Sequence, residues 1–484
     1  MKRFLQFALA MLLAMSADAQ YPVALDSTKT YLVDPHGSPV FITGDTAFSL
    51  SVQLSANSDI QTYLADRQAK GMNAMWMALV DNQYHDGGNT ENDAFGNNPW
   101  GGGSTFTGMT SGTGPAYWSH VDYVIQQAAA YNITVIAGLA FVGTFNQCTG
   151  MYWSAISAAS DSTMQAYGAF LGNRYKNQPN IIWLLGGDAN LSLCGSAMAT
   201  KMTDIATGIL SADTNHLICI EATNSTWGEA SATNWQNQSW LTLGTIYPKG
   251  NPSSTFSSEI AQIIAENGTE IAASPFLPYF SIEDPYEYEP TGAPYNNQEY
   301  RQEAYTEILA GAFLGRLFGS SGIWPFGAAC CEPSGVNWKT DIDAPPSADQ
   351  ALLGQLFRSR EHWKLRPDTN NSVLTGGYGS GAGLSVCACT SDGQTCIVYD
   401  PVGSTQPPQI AMSHFSGTVH AWWVDPNSAD AASPTDLGTF SNSGAHTFTP
   451  SSTGDWVLVL DLASANLGQP LAPMAPTGLY GIAH

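Results

Sequence analysis

Basic residues are scarce in this chain: sixteen Lys and Arg stand against forty Asp and Glu in 484 residues, a formal charge of −24. A groove that neutralises phosphates needs clustered cations, so nucleic acid is not an expected partner. Beyond its first residues the chain has no apolar run of about 18 residues, and no membrane-spanning helix is predicted. Eight cysteines are too few for a disulfide scaffold of this length. His36, His85, His120 and His216 are scattered singly, without metal-ligand spacing. No metal and no cofactor are expected. No glycine-rich phosphate loop follows the first strand-like run, which argues against a dinucleotide-binding fold.

What is present points to a folded, exported protein. Apolar residues make up 44% and aromatics 11%, which excludes disorder. Met1-Lys2-Arg3, an apolar run over 4–15 and Ala17-Asp18-Ala19 read as a bacterial signal peptide over 1–19, cleaved before Gln20. The expected destination is the periplasm or the medium, where cysteines act as local staples. Cys396 should bridge across the Ser391-Asp392-Gly393 turn to Cys387 or Cys389, and Cys148 should meet Cys194. Cys330-Cys331 form a vicinal pair or bond elsewhere, and Cys219 is a buried thiol.

Short apolar runs recur over 39–44, 73–80, 133–142, 180–185, 216–221, 241–247, 275–282 and 321–326. Between them 58–70, 119–131, 161–176, 197–210, 257–266 and 298–318 carry helical periodicity. Eight strands alternating with helices predict an α/β fold, a (β/α)8 TIM barrel over 20–365, with its chemistry at the C-terminal ends of the strands. From 366 to 462 short alternating runs separated by Gly, Ser, Asn and Pro predict a small antiparallel β-sandwich. Residues 463–484 form a Pro- and Ala-rich tail.

Two acids end strongly apolar runs. Ile181-Ile182-Trp183-Leu184-Leu185-Gly186-Gly187 leads into Asp188, and Phe280-Ser281-Ile282 into Glu283. A desolvated carboxyl at a barrel mouth can hold a proton while a second, ionised one attacks. Two such groups about 5–5.5 Å apart support retaining glycoside hydrolysis. The alternative for either acid is a helix cap or an ion pair with an arginine such as Arg174.

The blocks Phe41-Ile42-Thr43-Gly44-Asp45-Thr46-Ala47-Phe48, Gly186-Gly187-Asp188, Glu283-Asp284-Pro285-Tyr286-Glu287 and Gly322-Ile323-Trp324-Pro325-Phe326 resemble the apiosidase-like glycoside hydrolases of family 140. Trp363-Lys364-Leu365-Arg366-Pro367-Asp368 then leads into the sandwich that usually follows them, often labelled a collagen-binding domain. The resemblance implies Asp188 as general acid/base and Glu283 as nucleophile. It also implies that Tyr286 and Glu287 shape the pocket, the Tyr286 hydroxyl steadying the nucleophile. Asp45 is either a grip for sugar hydroxyls or a helix N-cap.

The chain departs from the family at Trp76 and at Ile246-Tyr247-Pro248-Lys249-Gly250, and mouth loops decide which sugar fits. Trp76, Gln83, Tyr84, His85, Tyr247 and Trp324 are subsite candidates, with barrel filling the alternative for Trp76 and Trp324. Trp100, in a glycine-rich stretch over 89–113, either closes on a bound sugar or belongs to an inert insertion. The expected activity is release of a neutral pentose such as apiose from plant polysaccharide or glycosides. The alternative is a non-catalytic carbohydrate- or matrix-binding protein.

Overall fold

The computed structural model describes residues 21–22, 24–81, 91–143, 148, 151–224, 227–249, 255–288, 295–327, 337–427 and 433–472. Eight parallel strands form the barrel: β1 (Ile42–Thr46), β2 (Ala74–Ala78), β3 (Thr134–Gly138), β4 (Ile181–Ala189), β5 (Leu217–Asn224), β6 (Gly244–Ile246), β7 (Tyr279–Ser281) and β8 (Gly315–Phe318). The ladder runs β6-β7-β8-β1-β2-β3-β4-β5. It closes where the N–H groups of Thr242 and Leu243 donate to the Ile218 carbonyl at 2.9 and 3.1 Å.

Around it lie α1 (Asn57–Ala69), α2 (Gly114–Ala130), α3 (Asp161–Tyr175), α4 (Ser196–Leu210), α5 (Phe256–Ala272), α6 (Asn297–Ala310) and α7 (Pro345–Arg358). After β5 the helix is replaced by a short return strand, Trp227–Glu229, and a 3-10 turn, Ser231–Thr233. Three short antiparallel strands precede β1, and their Leu32 and Val40 pack into the apolar cluster inside the barrel.

One expected strand is corrected. The eighth is Gly315–Phe318, while 321–327 is a turn, and the helix expected to continue to 318 stops at Ala310. Gly311 at φ +149° ends that helix, and Gly315 at φ +123° starts the strand. A Cβ at Gly315 would sit 1.9 Å from the Ile42 carbonyl oxygen, so glycine is what lets β8 close on β1.

The sandwich has a six-stranded antiparallel sheet and a three-stranded one. Val398, Leu458, Leu460 and Trp423 of the larger sheet join Leu374 and Ile410 of the smaller in one core. The larger sheet's other face packs on α6 and α7, where Tyr305 stacks on Tyr399 with centroids 4.9 Å apart. The Cys148–Cys194 bridge forms, and Cys396 bonds Cys389, leaving Cys387 and Cys219 as buried thiols. Cys330, Cys331 and the leader segment over 1–19 lie outside the described residues. Among the described residues no helix is long and apolar enough to cross a membrane.

Candidate active site

Strand parity decides what reaches the mouth. Trp76, Ile136, Leu184, Cys219, Phe280 and Leu317 point into the barrel, whereas Met75, Val135, Trp183 and Ile218 face the helices. Glu221 follows Cys219 on the inward side of β5 and is 0% exposed. It shares a buried site with Asp188 at the end of β4 and Glu283 just beyond β7. Asp188 lies near the end of β4, Glu221 within β5 and Glu283 two residues past β7.

Asp188 rides on a bulge. The β4–β5 ladder pairs Gly186 with Glu221 and resumes at Ala189 with Ala222. Gly186, Gly187 and Asp188 have φ of +90°, +79° and +57°. A Cβ at Gly187 would come 2.8 Å from the Phe141 ring, so the Gly-Gly pair permits both the turn and the close approach. The Asp188 N–H donates to Oε1 of Glu221 at 3.1 Å. Arg174, the cation that could have paired with Asp188, is committed to Asp122 at 2.7 Å.

Glu283 accepts from the Tyr247 hydroxyl at 2.8 Å on Oε1, and Lys249 Nζ lies 3.5 Å from the same oxygen. The ammonium also sits 3.8 Å above the Tyr286 ring. Asp284 turns the opposite way, onto Arg316 and the Gly319 N–H, so adjacent acids face different layers. Burial, then the charges of Glu283 and Asp188, push the Glu221 carboxyl well above the usual range. Burial and the Asp188, Glu283 and Glu221 charges likewise raise the Tyr247 phenol, which keeps it a hydrogen-bond donor.

The remaining expected site residues divide. Trp324 and Tyr286 belong to the aromatic group around Phe48 at the mouth, with ring centroids 5.9 and 6.3 Å from it. Trp76 resolves to barrel filling: it stacks on Phe141, meets Phe48 edge-on, and gives its indole N–H to Glu221. A Cβ at Gly138 would strike its ring.

Asp45 is corrected on both expectations. It lies on the outward parity of β1 and is fully buried against α1, bonded to the Tyr63 hydroxyl and paired with Arg67 at 3.4 Å. Glu287 is buried one strand over, bridging to Ser320 in the backbone. Burial raises its carboxyl to about 7, with Ser320, Asp341, Arg67 and Asp349 acting on it more weakly. Trp100 is fully buried beside Phe106, Tyr152 and Tyr167 outside the barrel, so it does not close on a ligand. Gln83, Tyr84 and His85 lie outside the described residues.

Glu221 and Lys249 were not among the residues expected from sequence. The rule that found Asp188 and Glu283, an acid ending an apolar run, applies equally to Leu217-Ile218-Cys219-Ile220-Glu221.

Comparison with known proteins agrees with this fold. A family model described as "Apiosidase-like, catalytic domain" matches residues 26–364, and one described as "Putative collagen-binding domain of a collagenase" matches 370–461. A solved structure described only as a glycoside hydrolase is 22% identical, covers 93% of this chain and 98% of its own, and has a TM-score of 0.76. A glycoside hydrolase family 5 structure from Bacteroides vulgatus is 21% identical, covers 94% and 96%, and has a TM-score of 0.77. At these identities the likeness is one of fold. No curated protein matches the sequence.

Proposed function

This chain belongs to the apiosidase-like glycosidases, and on that premise we propose an exported retaining enzyme that releases a neutral pentose, apiose first among them, from plant polysaccharide or plant glycosides. The observation that carries the reading is the convergence of Asp188 and Glu283, from strand ends four and seven, on one buried site. In the first step Asp188 gives its proton to the glycosidic oxygen while Glu283 attacks the anomeric carbon. That forms a glycosyl ester and frees the leaving group. In the second step Asp188 takes a proton from water, which attacks the same carbon and breaks the ester with retention.

Tyr247 and Lys249 hold the Glu283 carboxylate in line, one hydroxyl and one ammonium on the same oxygen. The strongly acidic chain disfavours a densely charged uronate backbone in the pocket, so a neutral sugar fits better. Export rests on the leader segment; N-terminal sequencing of the secreted protein should begin at Gln20.

D188A and E283A, assayed on aryl pentosides and pectic side chains, should each lower kcat by roughly 10⁴-fold or more, a size typical of removing one member of a catalytic set. NMR of the first-formed product should show the substrate's anomeric configuration. Wild-type rates in either variant, or an inverted first product, would overturn the assignment.

A further inference from the structure

Asp is one methylene shorter than Glu, so a catalytic Asp at a strand end needs its backbone brought closer to the substrate. The bulge does this. It removes Gly187 and Asp188 from the β4–β5 ladder, and a buried N–H that leaves a ladder needs another acceptor. For Asp188 that acceptor is Glu221 Oε1, while Glu221 Oε2 takes the indole N–H of Trp76 at the floor of the mouth. A non-glycine residue at positive φ persists only where its surroundings fix it. Here one fully buried carboxyl fixes it from the neighbouring strand.

We propose that Glu221 is the positioning residue of the acid: its carboxyl pins the Asp188 bulge, ties it to Trp76, and so sets where the Asp188 oxygen meets the leaving group. This rests on the reading of Asp188 and Glu283 as the catalytic pair. Burial and the neighbouring charges of Glu283 and Asp188 raise the Glu221 carboxyl well above the usual range, and each of its oxygens accepts one N–H, from Asp188 and from Trp76. Both of its partners donate. A glutamine there offers one acceptor and turns its NH₂ toward the other donor, and alanine offers none.

The test uses leaving-group dependence. A 2,4-dinitrophenyl glycoside departs without a proton, whereas a phenyl glycoside needs the acid; a displaced acid therefore harms only the second. On apiosides, or on glycosides of whichever pentose the wild type hydrolyses, E221A should lower kcat/KM for the phenyl glycoside by about 10²-fold, since a 1 Å misplacement can cost that much. It should leave the dinitrophenyl glycoside within about threefold, with E221Q between E221A and wild type. In a crystal structure of E221A, Asp188 should sit about 1 Å or more from its native place.

Equal losses on both substrates, or an unmoved Asp188, would show Glu221 to be structural only and overturn the inference. D188A run in parallel separates the two readings. If D188A is selective for the leaving group and E221A is not, this inference alone fails. If D188A is not selective either, the catalytic pair is misassigned and the inference fails with it.

Discussion

Buried acids are handled in opposite ways at the barrel mouth and at the seam between barrel and sandwich. At the seam Asp455 and Asp461 each have an arginine fork. Arg301 of α6 grips Asp455 through Nε and Nη2 at 2.7 and 2.8 Å and reaches Asp349 at 3.0 Å, while Arg360 holds Asp461 at 3.0 and 2.6 Å. At the mouth Asp188, Glu221 and Glu283 share a site where Lys249 lies 3.5 Å from Glu283. Bidentate pairing makes a carboxylate an acceptor and little else. Like charges in a low-dielectric site make it a proton store. With sixteen cations in the whole chain, where they sit largely decides which acids can do chemistry.

The largest expected effect comes from breaking the seam. R301A strands two buried carboxylates and should destabilise the protein by about 3–5 kcal/mol, the usual consequence of removing one partner of a buried pair. Denaturant unfolding would measure this, and the folded fraction should keep its kcat because Arg301 touches none of the mouth residues. A loss of kcat without loss of stability would erase the distinction between the two regions.

At the mouth the reverse is expected. Y247F removes one hydroxyl from Glu283 and should lower kcat by about 10–100-fold, in keeping with the ~1.5–3 kcal/mol typical of hydrogen bonds to charged groups. Stability should change by no more than about 1 kcal/mol. If Y247F instead unfolds the protein and leaves the rate intact, Tyr247 is a packing residue and the geometry around Glu283 has been misread.

What the sequence makes legible follows from what periodicity carries. Short continuous apolar runs locate seven of the barrel strands, because buried parallel strands must be apolar, and alternating runs locate the sandwich. The eighth was misplaced because Gly315-Arg316-Leu317-Phe318 has a buried charge at its centre and follows a helical pattern without a break. Asp188 and Glu283 were visible as acids ending apolar runs. Asp45 failed on parity: one residue's shift along β1 decides between substrate and helix α1, and a single strand does not reveal which face is inward. Glu221 obeyed the visible rule, and Lys249 had no local signal. Its value depends on a loop after β6 bringing it over Tyr286 and beside Glu283, a long-range contact that no spacing encodes.

The smallest predicted effect probes the support behind Tyr247. Glu266 of α5 accepts the Tyr247 N–H at 2.8 Å on Oε2. Burial pushes its carboxyl from 4.5 up to about 8, and burial raises Glu270 to about 7. The folded state therefore binds these protons more tightly than the unfolded chain. Their contribution to stability is full below about pH 4.5 and is lost as the pH climbs toward 8. Asp213 works in the opposite sense: despite burial, hydrogen bonds from His216 and the Asn215 N–H hold it at about 2, so its share disappears only as pH falls below 3.8. Between pH 5 and 6.5 the Tm should fall, and E266Q should flatten that slope by the equivalent of about 2 kcal/mol while shifting the whole curve by a constant. An unchanged slope in E266Q would mean that Glu266 is ionised in the folded protein. The mouth's supporting acids would then be held as charges, as the seam's are, and the contrast between the two regions would reduce to the three carboxyls of the site itself.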